Sequence, residues 1–167
     1  NLILVDENSH SLNFLRYVIF GGDKLTPARL NDWRERYTNT KLINMYGITE
    51  TTVHVTINEI KNEIQSKIGI PLPGYSIYLA NDTGDQIPNG FLGEILVSGN
   101  GVCKGYFNKK ELTKKKFIDN GKSYKSGDIG WQINNQFYYL GRKDRQVKIR
   151  GYRIELGEIE FLLKKKI

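Results

Sequence analysis

The stretch LRYVIFGGDKLTPARLNDWRERYTNTKLINMY, residues 15–46, contains the pattern from which the fold class follows. Its apolar run Leu15–Phe20 predicts a buried strand. A helix is expected next, because Thr26 can cap its start and apolar residues continue along one face as far as Tyr37. Lys41–Met45 then predicts a second strand. A strand, a crossover helix and a strand form a right-handed parallel unit, so both strands end at the same edge of the sheet.

That edge is where open α/β sheets bind ligands, and two segments emerge from it. They are Gly21-Gly22-Asp23 and Tyr46-Gly47-Ile48-Thr49-Glu50. The second segment combines a ring that can stack on a base, a hydroxyl that can bind a phosphate and a carboxylate that can hold Mg²⁺. Taken alone, an ordinary turn at the end of a strand explains this segment equally well. Alternating residues over Thr51–Ile57 predict a third strand directly after it.

From Lys67 onward, short predicted strands are separated by turn sequences, which is the pattern of a small antiparallel sheet or barrel. The clearest strands are Tyr75–Ala80 and Gly93–Ser98, and a hairpin is predicted within Ile129–Leu140. A short basic helix is expected around Glu111–Phe117. The predicted fold class is therefore α/β in the sense of mixed α+β. It comprises the end of a parallel-sheet α/β lobe, a small antiparallel β-barrel-like subdomain and the start of a small C-terminal α+β domain.

A charged stretch near residue 144 predicts a hinge between two domains. Residues 1–143 are expected to form the C-terminal part of a large core, with an α/β lobe at about 1–66 and a β subdomain at about 67–143. Residues 144–167 are expected to contain the hinge and the beginning of the small C-terminal domain.

Composition narrows the classes of function. The 167 residues are 39% hydrophobic, enough for one sizeable core or two small ones. One cysteine, Cys103, and two histidines argue against a structural metal site or disulfide chemistry. The net charge of +7 raises the question of phosphate-bearing partners, but no aromatic and basic recognition pattern supports nucleic-acid binding. No apolar run is long enough to cross a bilayer, so a cytoplasmic location and no membrane contact are expected.

Four segments, in order and suitably spaced, resemble the core motifs of amino-acid-activating adenylation domains from nonribosomal peptide synthetases. They are Asn44–Glu50, Gly93–Tyr106, Tyr124–Asp128 and Gly141–Glu160. Leu156-Gly157 stands where acyl-CoA synthetases usually carry a proline, which favours the peptide synthetases. The resemblance covers nearly the whole chain, which is expected to be an internal fragment of such a domain of the adenylate-forming superfamily.

The resemblance implies a nucleotide site for ATP. Tyr46, beside Gly47, is implied to stack on adenine, Thr49 to contact the α-phosphate and Glu50 to ligate Mg²⁺. Asp128 is implied to hold the ribose, because a carboxylate can accept hydrogen bonds from both vicinal hydroxyls.

Four further roles follow from the same resemblance. Arg142 is implied to assist at the ribose and Tyr139 to flank the nucleotide, with a simple core role for Tyr139 equally open. Asp144 matches the hinge residue about which the small domain rotates between adenylate formation and thioester transfer. Lys148 is implied to face the active site, as a catalytic residue, only after that rotation.

In this family the amino-acid side chain is held by residues at the ends of the same strands. Here they fall on Ile19, Gly21, Met45, Val53 and His54, a pattern that resembles threonine-activating domains. Gly21 leaves room, the apolar residues suit a methyl group and His54 can hydrogen-bond a hydroxyl. Such a site should exclude valine more strongly than serine.

The implied reaction joins an amino acid, expected to be L-threonine, to AMP and then to the phosphopantetheine thiol of a peptidyl carrier protein domain. Adjacent synthetase domains are the other implied partners, and the need for an MbtH-like accessory protein stays open. The phosphate-binding loop, the aspartate for the substrate amine and the late catalytic lysine have no counterpart here, so we expect the 167 residues alone to be inactive. The alternatives are an aryl acid, D-alanyl or acyl-CoA ligase, which differ in the pocket, and a noncatalytic basic interaction module.

Overall fold

The computed structural model describes residue 12 and residues 14–144, 146–149 and 152–164. The strands are β1 Tyr17–Phe20, β2 Lys41–Tyr46, β3 Thr56–Glu59, β4 Lys67–Pro71, β5 Tyr75–Ala80, β6 Gly93–Gly99, β7 Phe117–Ile118, β8 Ser123–Ile133, β9 Gln136–Arg142, β10 Gln146–Ile149 and β11 Tyr152–Glu155. The helices are α1 Asn31–Arg36, α2 Lys110–Lys116 and α3 Leu156–Lys164. Arg145, Arg150 and Gly151, which belong to the last predicted motif, lie outside the described residues.

The predicted parallel unit is confirmed. Strand β1 pairs in parallel with β2, with Val18 opposite Leu42. Both side chains join a core cluster with Trp33 from α1, Leu30 and Tyr37. Because the two strands run in the same direction, their carboxyl ends lie at one sheet edge.

The helix between these strands is shorter than expected. The chain forms a 3-10 turn over Pro27–Leu30 and then only the six residues of α1. Thr26 makes no side-chain capping bond. Leu30 leaves helical geometry at φ −101° and ψ 0°, which divides the segment in two. The packing of Trp33 and Leu30 on the sheet, rather than a capped helix, therefore fixes this crossover.

The third strand begins later than predicted. Strand β3 starts only at Thr56. A 3-10 turn occupies Thr49–Thr51, and the next two residues, Thr52 and Val53, have φ of 57° and 68°. An extended ladder cannot pass through residues with positive φ. The alternation that predicted a strand over Thr51–Ile57 thus belongs partly to a turn. Strand β3 runs antiparallel to β2, with Asn58 opposite Asn44.

The antiparallel strands after residue 67 continue the first sheet. The sheet has nine strands in the order β1-β2-β3-β4-β9-β8-β6-β5, with β7 beside β8. Strand β4 joins the two halves by pairing with β3 and β9 and shifting register at Gly69, where φ is +82°. A Cβ at Gly69 would lie 2.0 Å from the carbonyl oxygen of Ile57, so only glycine fits there. The mixed α+β class is confirmed, whereas the strands described follow an open path without the barrel-like closure.

The core of this second half includes Ile68, Leu79, Ile95, Val97 and Phe137, together with Tyr46 and Val55 from the first half. The predicted hairpin is confirmed and is longer than expected, as β8 and β9. Its turn is formed by Asn134 and Asn135, which both have positive φ, as a two-residue type I′ turn requires. One core therefore spans both halves of the sheet.

Strands β10 and β11 form a separate two-stranded antiparallel sheet, followed by α3. The proposed boundary between residues 143 and 144 stays a prediction. Among the described residues, no helix combines the length and apolar character needed to span a bilayer.

Candidate functional site

A tight turn follows β2 at the sheet edge where the nucleotide was expected. Gly47 makes it possible, because a Cβ there would lie 1.7 Å from the carbonyl oxygen of Val53. The backbone N–H of Val55 donates to the oxygen of Tyr46 over 2.7 Å and closes the loop. Thr49 is exposed on this turn, and Glu50 is buried with 7% of its surface exposed. The hydroxyl and the carboxylate of the predicted motif therefore lie in different environments.

Tyr46 and Asp128 come together in the interior. The Tyr46 hydroxyl donates to Oδ2 of Asp128 over 2.6 Å, and Asp128 is 1% exposed. Burial, followed by the charge of Asp128, raises the pKa of Tyr46 well above its ordinary value. Tyr46 therefore stays protonated and remains a hydrogen-bond donor.

Arg142 connects this pair to the predicted hinge. Its Nη1 donates to Oδ1 of Asp128 over 3.0 Å and to the carbonyl oxygen of Ser126 over 2.8 Å. Its Nε donates to Oδ1 of Asp144 over 2.9 Å. Burial opposes the charge of Arg142, but its bonds to both carboxylates outweigh that effect and raise its pKa. Burial likewise opposes ionisation of Asp144, and Arg142 outweighs it, so the pKa of Asp144 is lowered.

A narrow cleft lies beside the Tyr46 ring. Its lining includes Gly22, Asp23, Tyr46, Gly47 and Tyr139. The rings of Tyr46 and Tyr139 have centroids 6.1 Å apart and are tilted by 34°. Burial, and then the charge of Asp128, raises the pKa of Tyr139 to about 12. The lining combines two aromatic rings with two glycines, which suits a flat, polar-edged ligand.

Glu50 has a partner that sequence reasoning did not single out. The hydroxyl of Tyr106 donates to Oε1 of Glu50 over 2.7 Å and lies 2.9 Å from the hydroxyl of Tyr124. Burial and these two hydrogen bonds raise the pKa of Tyr106. The sequence signal that could have identified Tyr106 is its position at the end of the Gly93–Tyr106 motif, a motif to which no chemical role is assigned from the sequence.

Three of the five predicted pocket residues, Gly21, Met45 and His54, lie close together at this sheet edge. A Cβ on Gly21 would lie 3.2 Å from Nε2 of His54 and 3.3 Å from the carbonyl oxygen of Met45. Ile19 and Val53 are 58% and 59% exposed. Val53 and His54 belong to the turn region rather than to the strand predicted for them. The structure thus brings Gly21, Met45 and His54 into direct proximity.

The remaining predicted residues lie beyond this group. Asp144 is connected to the Tyr46 and Asp128 pair through Arg142. Lys148 lies on β10, where it pairs with Arg153 across the two-stranded sheet. The structure therefore joins Tyr46, Asp128, Arg142 and Asp144 in one chain of hydrogen bonds, and the role of Lys148 stays a prediction.

Comparison with known sequences gives consistent matches. Residues 2–107 match the family described as AMP-binding enzyme. Malpinin synthetase of Mortierella alpina is 46% identical over 160 residues, covering 87% of this chain and 2% of that protein. The dimodular nonribosomal peptide synthase of Bacillus subtilis (strain 168) is 43% identical over 163 residues, covering 89% of this chain and 7% of that protein. The chain therefore spans a small fraction of the length of these curated relatives.

Solved structures show the same fold. An NRPS protein containing adenylation and PCP domains, bound to a vinylsulfonamide inhibitor, matches with a TM-score of 0.86 and 28% identity over 93% of this chain and 29% of that one. The Vibrio cholerae adenylation domain AlmE, in complex with glycyl-adenosine-5'-phosphate, matches with a TM-score of 0.83 and 34% identity. That match covers 93% of this chain and 31% of AlmE.

Proposed function

The chain belongs to the AMP-binding enzymes, and we propose that it is part of an adenylation domain that activates L-threonine for nonribosomal peptide synthesis. The observation that carries this proposal is the buried chain of hydrogen bonds from Tyr46 through Asp128 to Arg142. It lies beside a cleft at the edge of the sheet where α/β folds bind ligands. The AlmE complex with an aminoacyl adenylate supports the same use of this fold.

In this proposal ATP binds at the sheet edge beside this cleft. Adenine stacks on Tyr46 beside Gly47, with Tyr139 flanking the nucleotide, and Asp128 accepts hydrogen bonds from the ribose hydroxyls. Tyr46 and Arg142 each engage one oxygen of Asp128, and a carboxylate offers about four acceptor sites in all. Arg142 thereby orients the carboxylate and balances its charge.

The residues present fit a magnesium ion that arrives with the nucleotide. Glu50 offers a carboxylate, the donor type that Mg²⁺ takes, usually in small number beside substrate phosphates. Among the residues that the structure describes, no group of three His, Cys, Asp or Glu side chains forms a larger metal site. Glu50 would hold the ion, whose charge neutralises the phosphates, while the exposed Thr49 hydroxyl donates to the α-phosphate.

The first step needs positioning rather than a covalent nucleophile. An oxygen of the amino-acid carboxylate forms a bond to the α-phosphorus, and the bond from that phosphorus to the bridging oxygen breaks. Pyrophosphate leaves with the electron pair and aminoacyl-AMP remains. The protein contributes by fixing the nucleotide and compensating its charge, which is where catalysis of phosphoryl and nucleotidyl transfer usually resides.

Threonine is the proposed substrate because of the residues gathered at Gly21. Gly21 has no side chain, and because a Cβ there would lie 3.2 Å from His54 Nε2, the glycine keeps the space beside the imidazole open. The imidazole can hydrogen-bond a substrate hydroxyl, and Ile19, Met45 and Val53 offer apolar surface for the methyl group. A valine side chain would leave the imidazole without that partner.

Transfer to a carrier protein is the proposed second step. The thiol of phosphopantetheine attacks the acyl carbon, and AMP leaves. Asp144 is the proposed hinge residue, and Lys148 on β10 is proposed to act at the site only after the small domain has rotated. The similar NRPS protein that contains adenylation and PCP domains supports a carrier domain as partner.

The experiment that tests the proposal is ATP–pyrophosphate exchange by the complete adenylation domain that contains these residues. Threonine, serine, valine and several aryl acids are compared at equal concentration. We expect threonine to dominate and valine to be weakest among the three aliphatic amino acids. Dominance of another acid would refute the pocket assignment, and silence with all acids would favour a noncatalytic role.

A further inference from the structure

The segment Gly101–Tyr106 forms hydrogen bonds with the turn that carries Glu50, although it has no role in the proposed reaction. The backbone N–H of Cys103 donates to the carbonyl oxygen of Glu50 over 2.9 Å. The Thr52 hydroxyl donates to the carbonyl oxygen of Gly101 over 2.7 Å. The turn is therefore held from one side by contacts to this segment at Glu50 itself and two residues beyond it.

The side chain of Tyr106, in the same segment, contacts the Glu50 carboxylate itself. Tyr106 donates to Oε1 of Glu50 over 2.7 Å, a charge-assisted bond when Glu50 is ionised. A phenol has one hydrogen, so the 2.9 Å contact with Tyr124 is made by the Tyr124 hydroxyl donating to Tyr106. Tyr124 is fully buried, with 0% of its surface exposed. Residues of three separate motifs thus meet in one directed chain from Tyr124 through Tyr106 to Glu50.

Tyr106 is itself held in place. Its backbone N–H donates to the Thr113 hydroxyl over 2.9 Å, which ties it to α2. Its ring meets that of Phe117 edge to face, with centroids 5.5 Å apart. Gly105 has φ +135°, and a Cβ there would lie 2.4 Å from Cγ2 of Thr113, so the backbone passes the helix only at a glycine. A fixed phenol can impose one direction on the carboxylate.

We infer that Tyr106 is a positioning residue that aims the Glu50 carboxylate at the metal ion of the bound nucleotide; this inference rests on the proposed role of Glu50. A carboxylate has about four acceptor sites, so the bond from Tyr106 can orient it alongside other contacts. Partners of this kind orient metal ligands, and their loss typically costs about ten-fold to 100-fold in metal affinity or activity.

The test measures binding of Mn²⁺·ATP to the complete adenylation domain by water proton relaxation, a readout independent of turnover. The variants are Tyr106→Phe, Glu50→Gln and the double variant. Tyr106→Phe keeps the ring on Phe117 and removes only the hydroxyl. The matched control is Tyr75→Phe, which removes a 2.9 Å hydrogen bond from a phenol to the Thr51 carbonyl in the same turn. It affects the turn but not the carboxylate.

We expect Tyr106→Phe to weaken Mn²⁺·ATP binding by about ten-fold. The change should add nothing in the Glu50→Gln background, and Tyr75→Phe should leave binding unchanged. Equal weakening by Tyr75→Phe would overturn the inference, since the turn as a whole would then be responsible.

The remaining outcomes separate this inference from the proposed function. Weakening by Glu50→Gln with no effect of Tyr106→Phe refutes the positioning role and leaves the proposed function intact. A Tyr106→Phe effect that persists fully beside Glu50→Gln also refutes it, because Tyr106 would act elsewhere. No effect of Glu50→Gln removes the metal role of Glu50 and the inference with it.

Discussion

The phenol of Tyr46 donates a 2.6 Å hydrogen bond to Oδ2 of Asp128, 82 positions further along the chain. Tyr46 ends β2 in the α/β half of the sheet, and Asp128 lies on β8 in the antiparallel half. Arg142 from β9 completes the arrangement at the other carboxylate oxygen. The proposed base-stacking and ribose-binding residues are therefore held as one unit before any ligand arrives.

Tyr46→Phe tests how much the hydrogen bond from Tyr46 to Asp128 stabilises the fold. The variant keeps the ring but leaves the buried Asp128 with one partner fewer, and loss of a buried hydrogen bond to a charged group costs about 1–3 kcal/mol. Urea unfolding of the complete adenylation domain should show a free energy of unfolding lowered by that amount. Tyr138→Phe is the control. It also removes only a hydroxyl, and it keeps the ring that stacks on Trp131 with centroids 5.1 Å apart. Equal losses in both variants would contradict the prediction.

Gly47→Ala tests the geometry of the turn. The added Cβ would lie 1.7 Å from the carbonyl oxygen of Val53, so the turn must move. Displacement of catalytic groups by about 1 Å can cost about 10²-fold in rate, and we expect a loss of that order in pyrophosphate exchange. Gly141→Ala is the matched control, since among the described residues no heavy atom other than those of its chain neighbours lies within 4 Å of its added Cβ. Exchange at the wild-type rate in Gly47→Ala would show that the turn is not part of the site.

Gly21→Ala tests the substrate pocket. Its Cβ would lie 3.2 Å from Nε2 of His54, in the space proposed for the threonine side chain. One carbon in such a pocket is worth about ten-fold or more in discrimination, so kcat/KM for threonine should fall by that factor. The KM for ATP should stay near its wild-type value. A parallel loss for both substrates would place Gly21 outside a dedicated amino-acid pocket.

The ion pair between Asp144 and Arg142 should make stability depend on pH. The folded state lowers the pKa of Asp144, so its contribution is complete above the ordinary pKa of about 4 and is lost as pH falls through the lower folded value. Asp144→Asn should therefore destabilise the complete domain at pH 7, with the difference from wild type shrinking below about pH 4. Urea unfolding of both proteins across this range measures the effect.

The control for the ion pair between Asp144 and Arg142 is Glu111→Gln. Glu111 and Lys114 form an exposed pair on α2, with side chains 89% and 76% exposed. Such pairs contribute about 0–1 kcal/mol, so this variant should stay close to wild type at every pH. A pH-independent difference between Asp144→Asn and wild type would show that Arg142 does not govern the ionisation of Asp144.

Local patterns in the sequence predicted most of the strands. Tyr75–Ala80 and the hairpin of β8 and β9 form as expected, because apolar alternation and turn residues act over short distances. The error at Thr51–Ile57 has a specific cause. Thr52 and Val53 alternate like strand residues, but the turn that begins at Gly47 forces both into positive φ. A valine in the sequence gives no indication of positive φ, because β-branched residues rarely adopt it.

Residue type and spacing were enough to predict the parallel unit, and the resemblance to adenylation domains supplied the four motifs and the candidate residues. Which of those residues touch became visible only in the folded chain. The hydrogen bonds from Tyr46 to Asp128 and from Tyr106 to Glu50 join positions 82 and 56 residues apart. The order of strands in the nine-stranded sheet brings these distant positions together. Contacts of that kind are set by how the sheet is assembled, since no local sequence preference specifies partners so far apart.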